Sequence, residues 1–353
     1  MKMFIRATGN ISPQQTFGNV PFLAEAVEYT GNRLSCIEPD YKDIIDPKMI
    51  RRMSRIIKMG VAAATACLKE SGVEKPDAII TGTAYGCLQD TDLFLTKMVE
   101  QNEELLTPTA FIQSTHNTIG AQIGLMLKSN NYNNAFVHRG FSFESALLDG
   151  VMLLMENAAS NFLVGAVDEL TDNSYAILNR FGLYKQKPLS NLDLYKTNSR
   201  GTIAGEGSSF FLIAKEESVN DYAQLNGMST FYKPKDIAET GNQITAFLAA
   251  QAVTMDDIDL VITGKNGNAK DDVVYNHLAL SVFKAATLAN YKHLCGEYPT
   301  STAFALWLAA QIIKTGTIPA VLNIDNPGKV IKKILIHNHY QDTHHTLLLL
   351  SAC

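Results

Sequence analysis

Short apolar runs alternate along this chain with longer segments of helical spacing, and that alternation restricts its fold more than any other feature. Apolar residues at Ile50, Met53, Ile56, Ile57, Val61, Ala64, Cys67 and Leu68 recur at helical spacing, and Ser71-Gly72 closes the run. Residues 47–70 therefore read as one long amphipathic helix. A strand follows at 77–83, and helical spacing returns over 90–103. The cycle repeats with a strand at 134–138, a buried helix at 145–158 and a strand at 161–167. In the second half, strands at 260–263, 334–336 and 346–350 accompany helices at 271–286 and 301–314. Strands alternating with helices form mostly parallel α/β sheets covered on both faces. The polar stretches 190–200 and 226–242 read as long surface loops.

Composition removes several classes of function. Hydrophobic residues are 46% and charged residues 18% of 353, a balance that supports a large core and excludes a disordered chain or a coiled coil. Thirty Lys and Arg against 35 Asp and Glu leave a formal net charge of -5, so no nucleic-acid partner held by broad phosphate neutralisation is expected. The five cysteines (Cys36, Cys67, Cys87, Cys295, Cys353) are dispersed and form no CxxC pair, which points to a reducing compartment. The first residues lack an apolar signal core, and no run reaches the roughly 18 apolar residues of a membrane span. A soluble cytoplasmic protein with no membrane partner is expected.

Few residues present chemistry on their own. Gly140-Phe141-Ser142-Phe143-Glu144-Ser145 lies where a strand gives way to a helix, a place where a nucleophile can stand at a helix N-terminus. Ser142 is the candidate, with a plain helix cap as the other reading. A hydrolase elbow would need glycine where the chain has Glu144. The glycine-punctuated stretch Gly201 to Ser209 matches neither common phosphate-binding spacing and reads as a tight turn before a strand. His337, His339, His344 and His345 cluster near the C-terminus, and His337 and His339 share one strand face. No acidic or cysteine partner stands at ligand spacing, so solvated strand ends rather than a metal site are expected. The methionines Met53, Met59, Met152 and Met155 read as core filling.

Gly205-Glu206-Gly207 resembles the GEGA segment of the β-ketoacyl synthases, condensing enzymes of the thiolase superfamily. Four further stretches match that family in its own order. Arg51-Arg52-Met53-Ser54-Arg55 resembles its RRMD run, and Thr81-Gly82-Thr83-Ala84-Tyr85-Gly86 its GTGxG strand end. Pro108 through Leu125, with Asn117, resembles the segment before the active site, and Val164 through Glu169 resembles the GGAE strand. The resemblance implies a thiolase-like α/β fold, with two similar αβ halves and central mixed sheets in α-β-α-β-α layers. Residues 1–220 would form the half carrying the nucleophile position and 221–353 the second half, joined in one compact unit.

The same resemblance leaves the catalytic positions empty of their usual chemistry. Family members load an acyl chain from a carrier protein onto a cysteine and use two histidines for decarboxylation and enolate stabilisation. Here Ser142 takes the place of the cysteine. Gly264 takes that of the first histidine, or Lys265 if the loop slips by one. Glu297 takes that of the second, with the family's Lys292 retained, and residues 338–342 replace the glycine-rich closing loop. A serine hydroxyl needs an activating base. Each missing acid or base is worth about 10²- to 10⁴-fold in rate, and Glu297 has the wrong sign to hold an enolate oxygen.

The resemblance therefore implies a non-catalytic subunit of the chain-length-factor type. Such a subunit pairs with an active ketosynthase in polyketide, aryl-polyene or fatty-acid-like acyl chain synthesis, and it needs no cofactor or metal. The alternative is an acyltransferase or condensing enzyme that uses Ser142 to accept an acyl group from acyl-ACP or acyl-CoA. On either reading Phe111, Gln113, His116 and Phe143 are expected at the acyl tunnel, and residues 134–138 at the interface with a ketosynthase or a second copy. Arg51, Arg52, Arg55 and Lys58 fall along one helix side, as a solvated face or as a stripe that meets an acidic acyl carrier protein.

Overall fold

The computed structural model, which describes residues 2–18, 20–324 and 330–353, gathers ten strands into one mixed sheet. In chain order they are β1 (Phe4–Ile11), β2 (Ala78–Gly82), β3 (Tyr132–Phe136), β4 (Asn161–Asp168), β5 (Gly207–Ala214), β6 (Ala223–Tyr232), β7 (Leu260–Thr263), β8 (Leu288–Asn290), β9 (Lys333–Tyr340) and β10 (His344–Ser351). Across the sheet the order is β8-β7-β9-β10-β6-β1-β5-β4-β2-β3. The chain traces the same path twice. Counting outward from the middle, each half runs through its first, fifth, fourth, second and third strands. The halves join only where Phe4 and Ile5 of β1 pair with Gln224 and Ala223 of β6. Parallel pairing is confined to the outer strands of each half, and the inner pairs are antiparallel, so the sheet is mixed rather than mostly parallel.

The longer helices are α1 (Arg55–Ser71), α2 (Leu88–Glu100), α3 (Pro108–Ser114), α4 (Thr118–Leu127), α5 (Ser142–Met155), α6 (Asp172–Arg180), α7 (Ile237–Ala250), α8 (Val273–Leu280) and α9 (Thr302–Thr315). Side chains alternate across a strand, and here both faces are covered. Ile80, Phe162, Val164, Phe211, Ile262, Ile336 and Leu348 point into a central core shared with α5 and α9. Their neighbours Ile79, Leu163, Phe210 and Leu212 point instead into a core with α1 and α4. Val261, Leu335, Leu347 and Leu349 meet α7 and α8. Five layers result: helices, half-sheet, α5 with α9, half-sheet, helices. Among the described residues no helix is long and apolar enough to cross a membrane.

Three sequence expectations are corrected. Residues 226–242 are not a loop but most of β6 and the start of α7. Ala223, Leu225 and Gly227 are buried while Gln224 and Asn226 between them are half-exposed, so a strand with one wet face presents a polar sequence. Asp236 then caps α7 by accepting from Glu239 N at 2.8 Å. The helix expected over 47–70 breaks in two, with a short helix Pro47–Ile50 and a turn before α1 starts at Arg55. Buried Met53 carries the apolar spacing across the break.

The third correction concerns the histidines. His337, His339 and His345 are completely buried rather than solvated. His337 Nε2 lies 3.3 Å from His345 Nδ1, and His339 and His345 stack on Tyr275 and Phe231. Burial pushes the His337 and His339 imidazoles below their ordinary range, and neutral rings can pack among aromatics. No group of three or more metal-ligating side chains converges among the described residues.

Close backbone approach fixes the outer layer. A Cβ on Gly9 of β1 would lie 2.0 Å from the Ala63 carbonyl oxygen of α1, so only glycine lets that helix rest on the strand. Gly9→Ala is expected to lower the stability read from the urea midpoint by about 1–3 kcal/mol or more, because backbone rather than a flexible side chain must move.

Candidate functional site

Ser142 opens α5 after a tight turn in which Arg139 adopts a left-handed φ of 48°. Its hydroxyl accepts from His138 N at 2.8 Å and donates to the Arg139 carbonyl at 2.9 Å, and the residue is fully buried. No imidazole or carboxylate among the described residues bonds to it. The ring of His138 directs Nδ1 toward Ser145 Oγ at 3.5 Å instead. Gly140 packs against Tyr340 and His344, and the rings of Phe141 and His344 meet edge-on at 4.8 Å, roofing the turn over.

Two residues further on, Glu144 is buried between the two central helices. Its Oε1 accepts from Thr346 Oγ1 at 2.9 Å, and its Oε2 has no partner among the described residues. Burial pushes its carboxyl up to about 7, against the pull of Thr302, Thr346 and Lys292. Asn338 of β9 donates to Thr302 Oγ1 at 2.9 Å, and its own Oδ1 is likewise without a partner among the described residues. Sequence reasoning noted Glu144 only as the residue that excludes a hydrolase elbow and Asn338 only as part of a replaced loop, and gave neither a place at the site.

Gly264 follows β7 and donates its backbone N–H to the His337 carbonyl at 2.9 Å. A Cβ there would lie 2.0 Å from Asn338 Oδ1 and 2.7 Å from the Tyr275 hydroxyl, so a side chain fits only if both of those groups are displaced. Lys265 turns away to Asn276 at 2.8 Å. Lys292 and Glu297 do meet: Nζ lies 2.7 Å from Oε1, with side chains 0% and 8% exposed. Lys292 also donates to Ser301, and Asn266 Nδ2 donates to Glu297 Oε2 at 2.8 Å. Burial pushes the Glu297 carboxyl upward while Lys292 and Asn266 pull it down. Asp272 holds the 264–268 loop by accepting from the backbone N–H groups of Asn266 and Gly267, both at 2.9 Å.

Glu297 forms part of the wall of a cleft with about 620 Å³ of empty space, part of it open to solvent, beside Asp168, Tyr85, Tyr184, Tyr298 and Tyr340. Asp168 closes β4 by accepting from Ala84 N at 2.8 Å, Thr83 Oγ1 at 3.1 Å and Thr300 Oγ1 at 2.7 Å. Burial raises its carboxyl to about 6. Arg55 joins two of the sequence motifs. Its guanidinium grips Glu206 at 2.5 and 2.7 Å and reaches Glu38 at 2.5 Å. The basic stripe is thus corrected: Arg55 is committed to buried Glu206 and to Glu38 at the surface, and Arg51 and Arg52 are exposed in the turn before α1.

Phe143 lies away from the cleft, fully buried in the central core against Phe211. Phe111 is 57% exposed on α3, Gln113 donates to the Arg52 carbonyl, and the His116 ring packs over Gly86. Around them α2 and α3 contain no buried residue. Leu93, Val99, Phe111 and Ile112 face outward, as do Val137, Leu148, Met152 and Met155 beside β3. β3 itself is an edge strand, paired only with β2.

Two outcomes follow. The folded-state shift of Glu144 favours its protonated form, so stability falls as pH rises from about 4 to about 7 and is flat above. Glu144→Gln is expected to be more stable than the parent at pH 8, by up to the order of 3 kcal/mol, and to lose that advantage near pH 4, read from urea midpoints. Lys292→Met strands a buried carboxylate and is expected to cost about 3–5 kcal/mol in chemical unfolding, most of it recovered when Glu297→Leu is added.

Residues 36–190 match the family model described as Beta-ketoacyl synthase, N-terminal domain. No curated protein matches the chain by sequence. Among solved structures, the chain is similar to the ishigamide ketosynthase/chain length factor, with a TM-score of 0.81 at 15% identity. It is also similar to a beta-ketoacyl synthase from Burkholderia phymatum STM815, with a TM-score of 0.81 at 13% identity. A third likeness, with a TM-score of 0.78 at 14% identity, is to the ketosynthase ApeO in complex with its chain length factor ApeC from Xenorhabdus doucetiae. Each match covers 100% of this chain and 98% or 99% of the other. The chain thus matches the β-ketoacyl synthase N-terminal domain over residues 36–190 and shares the fold of the ketosynthase structures from end to end.

Proposed function

We propose that this chain is a non-condensing subunit of the chain-length-factor type. It pairs in the cytoplasm with an active ketosynthase that elongates polyketide, aryl-polyene or fatty-acid-like acyl chains, supplied on an acyl carrier protein. The observation that carries this reading is that each catalytic position is closed in its own way. The Ser142 hydroxyl is spent on its own turn, Gly264 has no room for a side chain while Asn338 and Tyr275 keep their places, and Glu297 neutralises Lys292. The fold around them is kept. Acylation of Ser142, the other reading, has no activating base in its support. Two of the similar structures bear the name chain length factor.

The pairing face is the edge strand β3 with the exposed apolar side chains of α2, α3 and α5. An edge strand offers unpaired backbone groups, and the matching edge of a similar fold completes them about a two-fold-like axis. Phe111, Gln113 and His116 lie on this face and would set the depth of the partner's acyl tunnel. The repeated strand order supports dividing the chain into halves 1–220 and 221–353.

Co-expression with a ketosynthase that has the cysteine and both histidines tests this reading. A one-to-one complex is expected on size-exclusion chromatography. Leu148→Asp with Met152→Asp, both exposed positions, is expected to dissociate it without lowering the melting temperature, whereas Ser142→Ala leaves product formation by the pair intact. A chain that never leaves the monomeric or homodimeric state in the presence of such ketosynthases overturns the reading.

A further inference from the structure

The cleft beside Glu297 is walled by carboxylates and tyrosines, and no lysine, arginine or histidine stands among the described residues that line it. Asp168, Glu169 and Asp271 lie there with Glu297. Lys292 matches Glu297, but the hydrogen bonds to the other three come from neutral donors. Asp168 accepts from Ala84, Thr83 and Thr300, Glu169 Oε1 from Gln89 N at 3.0 Å, and Asp271 Oδ2 from Asn268 Nδ2 at 2.7 Å. Burial raises the Asp168 carboxyl to about 6 and the Glu169 carboxyl to about 7, and it pushes Asp271 upward.

We infer that this cleft is a binding site for a primary alkylammonium ion. Tyr184 is 5% exposed, and its ring stacks on Tyr175 with 5.1 Å between centroids. Its hydroxyl makes no hydrogen bond among the described residues, yet it is not sealed off as the unpartnered Glu144 Oε2 is, so it opens into the cleft that the residue lines. Glu169, only 7% exposed, presents its Oε2 in the same unbonded and unsealed state. Buried polar groups in folded proteins are almost always satisfied, so these two oxygens call for an occupant that donates. An ammonium carries three donors and no acceptor, and its charge is the one this wall lacks. Tyr85, Tyr184 and Tyr340 add aromatic rings that attract a cation, and Leu170, Leu178 and Leu183 give a short alkyl chain an apolar wall.

The full-length protein alone is titrated calorimetrically with n-butylamine at about pH 7.5, where the amine is protonated, so the outcome is independent of the pairing experiment. Butan-1-ol serves as the uncharged control and butyrate as the anionic one, all at one ionic strength. Saturable binding of butylammonium is expected, with both controls at least ten-fold weaker. Tyr184→Phe keeps the ring and its stack on Tyr175 but removes the hydroxyl, and it is expected to weaken butylammonium about ten-fold. Leu178→Lys, at a half-buried position of α6, tethers an ammonium in the wall and is expected to abolish binding. No saturable binding of butylammonium, equal binding of butan-1-ol or butyrate, or undiminished binding by either variant overturns the inference. The ligand series and Leu178→Lys decide it even if Tyr184→Phe does not fold.

Discussion

Helices α5 and α9 begin in the middle of the molecule, between two half-sheets, where the N–H groups of a first turn cannot turn to water. Most polar groups near those two N-termini find a partner inside the protein, with Glu144 Oε2 and Asn338 Oδ1 the exceptions named above. Ser142 closes its own turn, Glu144 reaches across to β10, Asn338 reaches Thr302, and Asp168 gathers the backbone of Ala84 and the hydroxyls of Thr83 and Thr300. Lys292, with its side chain fully buried, is matched by Glu297 at 2.7 Å.

The α/β class was legible in long, periodic apolar patterns, with the strands at 161–167 and 260–263 almost as the alternation predicts, whereas the layers and the mixed sheet were expected only from the family resemblance. β6 was not legible, because its solvent-facing residues dominate its composition while Ala223 and Leu225 do the burying. The histidines of β9 and β10 were misread for a related reason. Imidazole is polar by composition, but a neutral ring stacked on Tyr275 or Phe231 packs as an aromatic. At the site, motif positions pointed to Ser142, Gly264, Lys292 and Glu297. Whether those positions retain chemistry depends on contacts between segments distant in sequence, such as Asn338 against Gly264, which no local pattern carries.

The family match stops at residue 190, and Gly264, Lys292, Glu297 and Asn338 all lie beyond it. The matched sequence therefore lies in the half that presents β3, α2, α3 and α5. The Arg55–Glu206 grip survives within the first half because it is structural: it ties α1 to the start of β5 whatever happens at the cleft.

The contact between Gly264 and Asn338 also reaches beyond those two residues. Histidine at position 264 has no space while Asn338 stands, and Asn338 withdrawn alone would leave Thr302 without its donor at the start of α9. Such a contact couples the two positions: a side chain at 264 calls for a change at 338, and a change at 338 calls for a new donor to Thr302.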